Sequence, residues 1–121
     1  MKLLCCSLML CYNKIREIKT FEATISYVMP DHKNLQWLDL SHNYIQKLDY
    51  DFKEFPWLRT LYLHCNFLYD LNDFTQLSNH KQLKTMMIHG NPLTETPNFR
   101  SYLISILPNL KKIDSVLVSK K

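Results

Sequence analysis

A single glycine, Gly90, stands in a chain of 121 residues. That scarcity excludes a glycine-rich phosphate loop of either the P-loop or the dinucleotide type, since both need several positions without a Cβ close to the phosphate. Cysteine chemistry is equally thin. Cys5, Cys6, Cys11 and Cys65 form no C-x-x-C pair and no zinc-ligand spacing, so they read as reduced, small apolar residues. No Asn-x-Ser/Thr sequon occurs, and no cysteine follows Cys65, which makes a cytoplasmic setting the expectation. No apolar run approaches the ~20 residues that a membrane-spanning helix needs, so no membrane partner is expected. The net charge is +4, with Lys111, Lys112, Lys120 and Lys121 gathered near the end. Basic residues are not interleaved with stacking aromatics in one stripe, so nucleic acid is not the expected partner.

What the sequence does have is a repeat. Leu35 to Ile45 reads LQWLDLSHNYI, and the pattern returns as LRTLYLHCNFL from Leu58 and as LKTMMIHGNPL from Leu83. Apolar residues fill the first, fourth, sixth and last places of each copy, and Asn43, Asn66 and Asn91 fill the ninth. The alternation of fourth and sixth places predicts a short strand with those side chains inward, followed by a turn in which the asparagine amide satisfies backbone groups. Aligned on Asn13, the start of the chain gives a further copy, CCSLMLCYNKI, with Cys5, Leu8, Leu10, Asn13 and Ile15 in the repeat places. This registration is preferred over reading Met1 to Cys11 as a signal peptide. The first strand then has an apolar edge with no cap before it. Either the reading frame is truncated or something covers that edge, and the isolated chain is expected to be poorly soluble.

Between the repeats, Ile15, Ile18, Phe21, Ile25 and Val28 recur at helical steps before Pro30, which predicts a short amphipathic helix. Ile45, Leu48, Phe52 and Phe55 in the second unit, and Leu68, Leu71, Phe74 and Leu77 in the third, are expected core residues. After Asn91, Thr96 is the expected cap and Pro97 the first position of a helix that Pro108 closes, with Phe99, Leu103, Ile106 and Leu107 on its apolar face. Such a helix seals the end of a stack.

The closing stretch NPLTETPNFRSYLISILPNLKKID carries Asn91 to Leu93, Phe99, Arg100, Tyr102, Leu107 to Leu110 and Asp114 in the pattern of a dedicated repeat cap. With the repeats, it resembles the intracellular leucine-rich repeat proteins that end in such a cap, a group that includes the spliceosomal A-prime protein and axonemal dynein light chain 1. Residues 35–114 look most like the family of leucine-rich repeat-containing protein 51, associated with ciliated cells. The resemblance implies an α/β right-handed solenoid with about four parallel strands on the concave face, short helices on the convex face and a C-terminal cap helix. It is read as one domain over 1–121, with repeats starting near 5, 35, 58 and 83, a cap at 94–114 and a basic tail at 115–121. The function implied is that of a non-catalytic protein-interaction adaptor in a ciliary assembly, with axonemal or tubulin-associated proteins as the partners. The alternative is a ribonucleoprotein subunit.

No catalytic residue, cofactor or metal site is assigned. Ser41, Ser78, Ser101 and Ser105 lack the context of an activated nucleophile. His64 and His89 share the seventh place of adjacent repeats without a third ligand in that column. Asp49, Asp51, Asp70 and Asp73 are expected to cap turns or face water. The partner-binding candidates are the outward places of the strands: Met9, Trp37, Asp39, Tyr62, His64, Met87 and His89. Met9, Trp37, Tyr62 and Met87 form an apolar and aromatic strip of the kind that dominates interface energetics.

Overall fold

The computed structural model describes residues 7–29 and 31–118. Strands β1 (Ser7–Met9), β2 (Trp37–Asp39), β3 (Thr60–Tyr62) and β4 (Thr85–Met87) pair in parallel and in register. Leu8, Leu38, Leu61 and Met86, the fourth places of the repeat, are therefore directly opposed across the sheet. The last three are fully buried. Sixth places continue the ladder, the Leu40 N–H reaching the Tyr62 carbonyl at 2.9 Å and the Leu63 N–H reaching that of Met87 at 2.8 Å. The first-repeat place assigned to Cys5, with the rest of 1–6, lies outside the described residues, as do Pro30 and Lys120 and Lys121.

The sheet has two strands more than the four expected. β5 (Lys112–Ile113) adds in parallel to β4, pairing Ile113 with Met86, and β6 (Val116–Leu117) returns antiparallel to β5. The reason is legible afterwards: Leu110 and Ile113 occupy the first and fourth places of a fifth, abbreviated unit, and both are buried. Asp114 and Ser115, at φ 49° and 67°, turn the chain back. Val116 and Leu117, in the stretch expected as a basic tail, thus form the edge strand of the sheet.

The linking segments lie over the other side of the core. Helix α1 (Ile18–Val28) buries Ile18 and Ile25 as the periodicity predicts, although it begins one turn later than the pattern. The second unit crosses without a long helix. It nevertheless buries Ile45, Leu48, Phe52 and Phe55 completely, each worth ~1.5–3 kcal/mol of apolar transfer. The third unit forms a 3-10 helix over Leu71–Leu77, whose Asp70 side chain accepts the Asn72 N–H at 2.9 Å. Here Phe74 and Leu77 are buried while Leu71 packs from the margin.

The cap helix α2 spans Phe99–Ile106, later than Thr96 and Pro97 imply. A 3-10 turn over Pro92–Glu95 uses up the chain first, and Thr96 terminates that turn instead of capping α2. Asn98, at φ 62°, flanks α2 and makes no side-chain cap bond. Leu103 and Leu107 are buried, Phe99 and Ile106 partly so, and Pro108 follows the helix end as expected.

Candidate interaction face on the sheet

The sheet is held by a ladder of asparagines. Asn43 donates from Nδ2 to the carbonyls of Leu10, Leu40 and Ser41 at 3.0, 2.9 and 3.1 Å, and its Oδ1 accepts the Ile15 N–H at 3.1 Å. Asn66 repeats this toward Leu40, Leu63 and Ile45, and Asn91 toward Leu63, Ile88 and Leu68. All three are buried, so the amide is the partner that water cannot supply. Asp114, in the fifth place of the last unit, acts differently: its carboxylate accepts the N–H groups of Ile88 and His89 at 2.7 and 3.0 Å, where Leu40 and Leu63 in the same place as Ile88 use the strand carbonyls of Tyr62 and Met87.

Strand alternation leaves the third and fifth places on the outward face, which the sequence reading assigns as concave. Trp37 and Tyr62 meet there edge to face, with centroids 5.4 Å apart and planes at 67°. Trp37 is 41% exposed and Met9 67%, whereas Tyr62 and Met87 are half-buried. At the end of the strands a row of rings crosses the units: Tyr12 stacks on His42 at 4.1 Å, His42 meets His64 at 5.6 Å, and His64 stacks on His89 at 4.6 Å. Tyr62 also meets His64, at 5.5 Å, which joins this row to the Trp37 pair. Of the seven candidate residues, Trp37, Tyr62, His64 and His89 are thus joined by ring contacts, Met87 lies opposite Tyr62 in the register, and Met9 lies opposite Asp39.

Asp39 is the correction. Its side chain is buried, and Oδ1 accepts both the Ser41 N–H at 2.9 Å and the Ser41 hydroxyl at 2.6 Å. A carboxylate two residues before a polar neighbour closes such a loop in preference to standing in water. Asp39 therefore shapes the turn beside the face and is not available as a contact. Ser41, in the seventh place of its unit, is buried for the same reason.

The His64 pKa is lowered from the ordinary histidine value, first by burial and then by the neighbouring His89, with His42 acting in the same direction and Asp39 and Asp114 opposing. Its Nδ1 is buried without a hydrogen-bond partner. The stacked His64 and His89 rings turn their faces to one another, whereas shared metal ligation needs their in-plane lone pairs to converge. Among the described residues no group of three or more His, Cys, Asp or Glu side chains is placed to hold a metal ion.

Tyr12 and His42 extend the ring row beyond the candidates read from sequence. Tyr44, Phe67 and Tyr69 are exposed outside the sheet. Their signal was present, since Tyr44 and Phe67 each follow a ladder asparagine directly. Among the described residues no helix is long and apolar enough to cross a membrane.

A family profile described as "Leucine-rich repeat" matches residues 7–121. Leucine-rich repeat-containing protein 51 of Rattus norvegicus is 33% identical over 114 residues, covering 94% of this chain and 59% of that protein. Its Bos taurus counterpart is 32% identical over the same length and with the same coverage. The chain therefore spans 59% of the length of these relatives. A chain of the Drosophila melanogaster SNF/U2A' complex superposes with a TM-score of 0.75 at 24% identity, covering 94% of this chain and 75% of that one, a likeness of fold. With four in-register repeat strands, an asparagine ladder through their turns and a profile match across nearly the whole chain, this protein belongs to the leucine-rich repeat family.

Proposed function

We propose that this domain is a non-catalytic protein-binding adaptor whose outward sheet face, centred on Trp37 and Tyr62, receives the partner. The observation that carries the reading is the exposed edge-to-face pair of Trp37 and Tyr62, 5.4 Å apart, on a surface whose backbone the asparagine ladder holds rigid. Aromatic residues fixed in this way lose little freedom on binding and are the usual anchors of an interface. Met87, opposite Tyr62, extends the apolar surface, Met9 adds exposed apolar area on β1 beyond Asp39, and His64 and His89 supply polar edges. The likeness of repeats and cap to leucine-rich repeat-containing protein 51 supports a ciliary or axonemal assembly as the setting. The ribonucleoprotein alternative has less support, because the outward places of β2 to β4 carry aromatics, threonines and a methionine, and lysine joins the face among the described residues only at Lys112 of β5.

The test is capture from ciliated cells by the tagged full chain, compared by quantitative mass spectrometry with Trp37→Ala and Tyr62→Ala variants whose fold is checked by circular dichroism. Selective loss of axonemal proteins from both variants is expected. Recovery of the same proteins in the same amounts by folded variants would remove the face from consideration, and enrichment of ribonucleoproteins would favour the alternative.

A further inference from the structure

A second exposed aromatic set lies outside the sheet, where each unit leaves its asparagine turn. The tenth places of the first three units are Lys14, Tyr44 and Phe67, all exposed. Their positions are fixed by the backbone: the Tyr44 N–H donates to the Ile15 carbonyl at 2.9 Å, and the Phe67 N–H to that of Ile45 at 2.8 Å. The Tyr44 and Phe67 rings lie parallel, 5.9 Å apart at 5°. The Arg16 guanidinium sits 6.0 Å from the Tyr44 centroid, and the Lys47 ammonium 5.9 Å from that of Tyr69. A groove of ≈ 630 Å³ runs past these groups, with Lys19, Glu17 and Asp49 also on its walls.

Two features define what this groove fits. Nearly half of each aromatic side chain is open to solvent, which is more apolar surface than a solvated turn requires. Arg16, Lys19 and Lys47 surround it without a carboxylate in ion-pair range among the described residues. The Glu17 carboxylate is already engaged by the Thr20 hydroxyl at 3.5 Å.

We propose that the groove is a docking site for a peptide segment of a partner protein in which acidic residues flank an apolar or aromatic side chain. The central side chain lies against Tyr44 and Phe67, and the flanking carboxylates meet Arg16, Lys19 and Lys47. A peptide sets its charges only where its sequence places them, so it avoids Glu17 and Asp49. A nucleic-acid strand carries a phosphate on every unit and meets both carboxylates, which disfavours it here. This surface is separate from the Trp37 face, and the proposal does not depend on that reading.

Fluorescence anisotropy of a labelled peptide, Asp-Glu-Asp-Phe-Leu-Asp-Glu-Asp, with the full chain tests the proposal. Binding is expected, with about tenfold weakening in the Tyr44→Ala, Phe67→Ala double variant, as for anchor residues. Lys47→Glu, a change at an exposed position that leaves the core untouched, is expected to weaken it comparably, whereas Trp37→Ala leaves it unchanged. The proposal is overturned if the peptide does not bind, or if the same peptide with lysine for each acid binds as well. Tighter binding of oligouridylate would overturn it too, as would unaltered affinity in the folded Lys47→Glu variant.

Discussion

Replacing Asn66 by alanine isolates what the ladder does for stability. Its Nδ2 donates to the carbonyls of Leu40 and Leu63 at 3.0 Å each, and its Oδ1 accepts the Ile45 N–H at 3.1 Å. The carbonyls are not orphaned by the change, because Leu40 also receives Asn43 at 2.9 Å and Leu63 also receives Asn91 at 3.0 Å. The Ile45 N–H loses the acceptor described for it, in a buried position. One stranded donor costs ~1–3 kcal/mol, and the two weakened carbonyls add up to ~1 kcal/mol each, so a loss of ~1–5 kcal/mol is expected. Asn13→Ala is the internal control. That side chain is exposed and, among the described residues, bonds within its own turn, to Leu10 and Cys11 at 2.9 and 3.2 Å, so water replaces it and the cost should stay under ~1 kcal/mol. Urea unfolding followed by tryptophan fluorescence and circular dichroism reads both. Equal losses for Asn66→Ala and Asn13→Ala would refute the reasoning, since burial and cross-unit bonding are all that distinguish them.

Trp37→Ala should cost the aromatic pair with Tyr62, ~0.5–1.5 kcal/mol, together with the apolar contact of its covered part, and leave the domain folded while weakening partner binding by ~2 kcal/mol or more; unfolding of the domain would show that Trp37 is structural. Arg100 donates to the carbonyls of Ile113, Val116 and Leu117 at 3.0, 3.1 and 3.1 Å, so Arg100→Ala should raise hydrogen exchange in β5 and β6 selectively, leaving β2 and β3 protected. Gly90→Ala should destabilise by ~1 kcal/mol or more in urea titrations, because Gly90 has φ 73° and an added Cβ would lie 2.9 Å from the Cys65 Sγ. His64, with its folded pKa below the ordinary value, binds protons more weakly in the fold than when unfolded; stability should therefore fall as pH drops through the ordinary histidine range and on below it, and His64→Gln should flatten that part of the pH–stability curve.

The repeat spacing determined the strands, their inward columns and the asparagine turns, because each of these depends on residues within one unit and on identical units stacking upon each other. Phe52 and Phe55 were legible as core for the same reason: apolar residues in a unit with one sheet to cover have one direction to face. The outward candidates were legible as positions but not as environments. Whether a fifth-place side chain meets solvent or bends back depends on its neighbours, and Asp39 turned to Ser41 while Tyr62 met Trp37. Tertiary structure alone decided three further features. Strand β6 returns along β5 with its carbonyls bound by Arg100, a residue of α2 that no pattern within the closing unit points to. Helix α2 starts late because the Pro92–Glu95 turn intervenes. Tyr44, Phe67, Arg16 and Lys47 form one surface because stacking brings together residues that belong to different repeats, a juxtaposition set by the solenoid's lateral register and not by any one stretch of sequence.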